Sequence, residues 1–205
     1  GPNKPVAKLL RAGHLMNLII TGPPGTGKTT FARALAQTAK AKFISMNAID
    51  AGVKDLKAAG EAGKDALLAH SEKTLLFGDE IHRFNKSQQD VLLPFLEKGY
   101  LYLVGATTEH PSYELNRALI SRSQVIQFHR LTEPDFQKLC HRLETMEKVK
   151  ISDLLDEVAL KTLFNIADGD GRRLLNLLES VVSLYRINEQ NFPMSVENLE
   201  ELISH

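Results

Sequence analysis

Short apolar runs recur through the first 130 residues: "NLIITG" ending at Gly22, "KFISMN" at Asn47, "TLLFGD" at Asp79, "YLYLVGATT" at Thr108 and "QVIQFH" at His129. Each is too short for a helix and is flanked by turn or helix-start residues, which predicts five β-strands. Between them the pattern changes period. Phe31, Leu35 and Ala39 repeat at helical spacing within Thr29–Lys40, and Ala51–His70 and Lys86–Glu97 read as further helices. Strands that alternate with helices and are apolar on both faces predict a parallel sheet with helices on each side.

After about Leu131 the strand pattern stops. "TEPDFQKLCHRLETME", "DEVALKTLFNIA", "GRRLLNLLESVVSLYR" and "SVENLEELIS" all read as amphipathic helices, the third with Leu174, Leu178, Val181 and Tyr185 on one stripe. The predicted division is therefore an α/β domain, 1–131, and a small all-helical domain, 132–205. No repeat or low-complexity segment interrupts either part.

Composition narrows the function classes. The chain has 205 residues, 43% hydrophobic and 24% charged, as expected of a globular protein. No apolar run approaches the roughly 18 residues of a membrane span, and no signal peptide opens the sequence. Cys140, the single cysteine, has no internal disulfide partner and reads as a packed thiol. The seven histidines show no zinc-ligand spacing. Formal net charge is zero, so any contact with nucleic acid must come from a local stripe.

The candidate chemistry lies at strand ends. "GPPGTGKTT", Gly22, Pro23, Pro24, Gly25, Thr26, Gly27, Lys28, Thr29 and Thr30, fits G-x-x-x-x-G-K-[ST] between a strand and a helix. Glycines let such a loop wrap a phosphate, and the helix N-terminus offers free N–H groups. In this pattern Lys28 reaches the β- and γ-phosphates of ATP, and Thr29 offers its hydroxyl to Mg²⁺. Asp79 and Glu80 end the third run, expected on a strand neighbouring the loop. There Asp79 would hold Mg²⁺ and Glu80 would polarise an attacking water. The bland alternative is a helix-capping or salt-bridged acid pair. Thr107 and Thr108 end the fourth run, where a hydroxyl could hold that water. Arg122 reads either as a surface ion-pair partner or as an arginine finger for a neighbouring subunit. Arg172 lies two residues before Leu174, about 200° around its helix at 100° per residue, and so faces away from the core stripe.

Together "GPPGTGKTT", "DEIHRFNKSQQD", "GATTEHPSYELNRALISR" and "DGDGRRLLNLLE" resemble the ATPase core of the AAA+ superfamily. Within it they resemble the replication-associated recombination protein A family, which includes the Werner-helicase-interacting ATPases. "HRFNKSQQD" is the most family-specific string, "AGVKDLK" adds to it, and the similarity runs over essentially the whole chain. The resemblance implies a AAA+ P-loop NTPase fold, a five-stranded parallel sheet flanked by helices plus a helical lid. It implies that Lys28 and Thr29 form the Walker A pair and that Asp79 and Glu80 form Walker B. Thr108, with Thr107 as runner-up, is similar to sensor 1, Arg122 to the arginine finger, and Arg172, ahead of Arg173, to sensor 2. It further implies ATP and Mg²⁺ as cofactors and DNA, single-stranded or forked, as a partner, with Lys86 and Gln88 as candidate contacts because they open the helix after Walker B, which related loaders turn toward DNA. Self-assembly as a homo-oligomer (a tetramer in the family), single-stranded DNA-binding protein as a further partner, no membrane and a cytoplasmic, nucleoid-associated bacterial setting are also implied.

Three departures accompany it. About seventeen residues precede the first strand, fewer than the family's adenine-contacting segment needs, and no C-terminal oligomerisation domain follows the helices. A truncated chain with Gly1–Pro2 as a cloning remnant is the expectation. Gly78 stands where the family has a β-branched apolar residue, for no catalytic reason. The rivals are a clamp-loader subunit, a branch-migration motor, a small-molecule kinase and an ATP-gated scaffold with little turnover. "HRFNKSQQD" argues against the first two, and the set Glu80, Arg122 and Arg172 against the kinase.

Overall fold

The computed structural model describes residues 12–110 and 115–204. Gly1–Pro2 and the "PSYE" stretch of the fourth motif lie outside them. By internal packing the chain divides into one unit, Gly1–Gly22 with Gly27–Phe128, and a second, Pro23–Thr26 with His129–His205.

In the first unit the strands are β1 (Leu18–Thr21), β2 (Lys42–Asn47), β3 (Thr74–Asp79), β4 (Tyr102–Thr107) and β5 (Gln124–Gln127). They pair in parallel in the order β2-β3-β4-β1-β5. The helices are α1 (Lys28–Thr38), α2 (Val53–His70), α3 (Lys86–Glu97) and the short α4 (Arg117–Ser121). Successive strand residues point to opposite faces, and the two cores follow that alternation. Leu18, Ile20, Leu75, Phe77, Val104 and Ala106 pack with Phe31, Ala32 and Leu35 of α1. Ile19, Leu76 and Leu103 pack on the other face with Leu56 of α2, Leu92 and Phe95 of α3 and Leu119 of α4.

Two expectations need correction. β3 is not next to β1; β4 lies between them. Periodicity identifies strands but carries no information about their order. Burial on both faces holds for β1, β3 and β4 but not for β2 and β5, the sheet edges, where most residues are partly or fully exposed. β5 is also shorter than its apolar run and stops at Gln127.

The second unit is helical: α5 (Glu133–Glu147), α6 (Ile151–Leu154), α7 (Glu157–Ala167), α8 (Gly171–Ile187) and α9 (Val196–Ser204). Its core joins Phe136, Cys140, Leu163, Leu174, Leu178 and Val181. The predicted stripe of α8 holds, with Tyr185 half-buried and edge-on to Phe192. Asp156 and Asp170 cap α7 and α8 by accepting backbone N–H bonds, which satisfies donors that a helix N-terminus leaves open. Burial pushes the Cys140 thiol up to about 11, with Glu144 adding to the rise, so it is an inert core group near neutrality. Among the described residues no helix is long and apolar enough to cross a membrane.

Candidate active site

Parallel strands deliver all their C-terminal ends to one edge of the sheet. The chain leaves β1 past β4 and β3 to reach β2, and later passes over β1 from β4 to β5. Ligands of open α/β sheets bind outside the strand ends at such a reversal. The P-loop, Asp79–Glu80 and Thr107–Thr108 follow β1, β3 and β4, so this topology brings them to that edge.

The P-loop starts at Gly22, whose N–H donates to the Thr107 carbonyl at 3.2 Å. Gly22 has φ +146°, and a Cβ there would lie 2.3 Å from the Phe128 carbonyl oxygen. Glycine is therefore required by both backbone conformation and space. Thr26, buried, donates its hydroxyl to the Pro23 carbonyl at 2.9 Å and closes the loop on itself. Lys28 is the first residue of α1, and its Nζ donates to the Gly22 carbonyl at 2.7 Å. Thr29 follows it, half-buried.

Asp79 ends β3, and its Oδ1 accepts the Glu80 N–H at 3.2 Å. Glu80 has φ 51° and ψ 43°, the left-handed region. That conformation is unfavourable for a residue with a side chain by roughly 1–2 kcal/mol, and such strain concentrates at functional sites. It lets the chain turn directly from the strand into the 3₁₀ turn Ile81–Arg83. The Glu80 carboxylate lies 3.3 Å from His82 Nε2.

The two threonines differ. Thr107 is buried; its hydroxyl accepts the Glu109 N–H at 3.0 Å and bonds to His82 Nδ1 at 2.8 Å. Thr108 is exposed. Arg122 follows α4, and its guanidinium pairs with Glu97 at the end of α3, 2.6 Å away, and donates to the Ala118 carbonyl. Arg172 and Arg173 open α8 in the second unit, both exposed, with their N–H groups held by Asp170.

"HRFNKSQQD" acts mainly through capping and bracing. Asn85 and Gln88 form a reciprocal capping box at the start of α3. Gln88 also donates to the Ala51 carbonyl at 2.5 Å and is buried. Both ends of its amide are thus engaged, and the expectation that Gln88 faces DNA is corrected; Lys86 is exposed. Buried Gln89 donates to the Phe84 carbonyl at 2.8 Å and accepts the Asn116 N–H at 2.7 Å. It thereby joins the turn after Glu80 to the helix that ends at Arg122. Sequence reasoning missed this brace and His82. A polar pair repeated inside a helix start was the available signal.

Among the described residues no three His, Cys, Asp or Glu side chains cluster to enclose a metal. The residues expected to hold a cation are instead one hydroxyl, Thr29 on α1, and one carboxylate, Asp79 at the end of β3. Mg²⁺ takes such a set, because it keeps waters and nucleotide phosphate oxygens as its other ligands.

Residues 18–131 match the model of the ATPase family associated with various cellular activities (AAA). The chain is 39% identical over 206 aligned positions to replication-associated recombination protein A of Haemophilus influenzae, covering 99% of this chain and 46% of that protein. It is 40% identical to ATPase WRNIP1 of Dictyostelium discoideum, covering 94% of this chain and 22% of that protein. It thus spans less than half the length of these relatives. Among solved structures, the Thermotoga maritima RuvB Holliday junction branch migration motor superposes with a TM-score of 0.77 at 22% identity, covering 99% of this chain and 67% of that one, which shows a shared fold. The relatives matched over nearly the whole chain carry the names its motifs suggested, and the chain belongs to the AAA family of ATPases.

Proposed function

We propose that this chain is the catalytic core of a Mg²⁺-dependent, DNA-stimulated ATPase acting in replication and recombination at stalled forks. The observation that carries the reading is the sheet order. It brings the glycine-rich loop, the acid pair and a hydroxyl-bearing strand end to one edge on three adjacent strands. In this reading residues 1–131 form the nucleotide-binding domain and residues 132–205 the helical lid.

The loop Gly22–Thr30 binds the phosphates, with its backbone N–H groups and Lys28 Nζ as donors. Thr29 and Asp79 hold Mg²⁺, which when bound neutralises charge on the phosphate oxygens. Glu80 orients the attacking water and accepts its proton, and Thr108 holds the same water from the next strand end. Arg172 contributes positive charge from the lid. Arg122 acts on the nucleotide of an adjacent copy in a homo-oligomer, a tetramer by analogy with the family. Forked or single-stranded DNA is the stimulating partner, with single-stranded DNA-binding protein as a further one.

The pairing of Arg122 with Glu97 favours a second reading, an ATP-gated scaffold with little turnover. A guanidinium held by a carboxylate of its own chain is engaged rather than available to a neighbour. Phosphate release with and without forked DNA, across a salt series, separates the two. The enzyme reading predicts stimulation that weakens with salt, and a Lys86→Glu variant with less stimulation and a flatter salt dependence. Tight ATP binding with no release under any condition would favour the scaffold.

A further inference from the structure

We propose that His82 is a positioning residue of the hydrolytic centre: its imidazole ties the Glu80 carboxylate to the Thr107 hydroxyl, so that the end of β4 sets where the carboxylate points. The inference rests on Glu80 as the acid that orients water. His82 Nε2 lies 3.3 Å from Glu80 Oε2 and Nδ1 lies 2.8 Å from Thr107 Oγ1. Thr107 Oγ1 also accepts the Glu109 N–H at 3.0 Å.

For a neutral imidazole these contacts select one tautomer. A carboxylate only accepts, so Nε2 carries the imidazole proton. In the neutral ring Nδ1 is then the acceptor, and the Thr107 O–H donates to it while its oxygen accepts from Glu109. The chain Glu109 N–H, Thr107 O–H, His82 Nε2–H, Glu80 has no mismatched pair. The other neutral tautomer would turn a lone pair toward the carboxylate.

The anchor at the far end is rigid. Thr107 is 1% exposed and pairs in register with Thr21 of β1, at the root of the P-loop. His82 sits in a turn whose Ile81 is fully buried. An unrestrained glutamate would sample several rotamers, and only some place its oxygen where a water must be activated. Holding one of them raises turnover without changing how ATP binds. Thr107 therefore serves through His82, and the exposed Thr108 remains the hydroxyl for the water.

The test compares kcat and KM for ATP in Glu80→Gln, His82→Phe, Thr107→Val and the His82→Phe/Thr107→Val double variant. Thr107→Val is nearly isosteric and breaks the chain without disturbing the volume at His82. The expected result is that His82→Phe and Thr107→Val each lower kcat on the order of 10–100-fold with KM within about twofold, as for other partners that orient a catalytic group. The double variant should lose no more than the larger single loss, because one broken link already frees the carboxylate. Wild-type turnover in folded His82→Phe or Thr107→Val, with Glu80→Gln inactive, would overturn the inference alone. Losses that multiply in the double variant would overturn it as well. Undiminished turnover by Glu80→Gln would overturn the assignment of Glu80, and the inference with it.

Discussion

Gly78 and Gly105 pair in register across β3 and β4, yet their surroundings differ. A Cβ on Gly78 would meet nothing closer than Ile81 Cδ1 at 3.7 Å, an ordinary contact. A Cβ on Gly105 would lie 2.5 Å from the same atom and 3.1 Å from Ile19 Cδ1. Gly78→Ala should therefore stabilise the protein by about 0.5–1 kcal/mol, since glycine weakens a strand interior. Gly105→Ala should destabilise it by about 1–3 kcal/mol through overpacking. Because Ile81 adjoins Glu80, it should lower turnover too. Thermal unfolding and ATPase rates of both variants check this; a Gly78→Ala protein less stable than Gly105→Ala would contradict it. Sequence reasoning singled out Gly78 because the resemblance implies a β-branched residue there, but Gly105 in "VGATT" raised no question. The need for glycine at Gly105 comes from side chains of two other elements, which no local pattern displays.

The existence and type of the main elements were legible because each strand and helix announces itself by its own periodicity; Lys86–Glu97 was placed to the residue, whereas β5 ends two residues before its apolar run does. Strand order was not legible, since it depends on which sheet faces bury together. The insertion of β4 between β1 and β3 makes its end the structural link from P-loop to acid pair. The polar string after the acids was legible as a signature but not as a device. Gln89 connects the Phe84 carbonyl to the start of α4, and through that helix it bears on Arg122. Gln89→Leu leaves a buried carbonyl without its donor and should destabilise by about 1–3 kcal/mol. It should also loosen α4, seen as faster amide hydrogen exchange over 117–121 than over α1. Equal exchange in α4 of both proteins would show that the brace does not position it.

At the scale of the whole molecule, the proposed role of Arg122 divides catalysis between copies. Arg122 follows α4, and it pairs with Glu97 of its own chain. Arginine fingers contribute on the order of 10³–10⁵ in rate, so an unassembled chain should be slow and its specific activity should rise with concentration. In assembled protein, Lys28→Ala and Arg122→Ala should each be inactive, and mixing them should restore part of the activity. The Arg122→Ala copy still binds ATP, and its neighbour still supplies an arginine. No recovery in demonstrably mixed oligomers would leave Arg122 as the partner of Glu97 alone.

In the proposed function Lys28 binds ATP and Glu80 hydrolyses it, two roles that separate experimentally. Nucleotide affinity and single-turnover hydrolysis, measured side by side for Lys28→Ala and Glu80→Gln, test that separation most directly. Lys28→Ala removes a phosphate donor and should abolish tight binding. Glu80→Gln should keep ATP affinity within a few-fold, while hydrolysis falls on the order of 10²–10⁴. Equal loss of affinity in both variants, or undiminished hydrolysis by Glu80→Gln, would contradict the account.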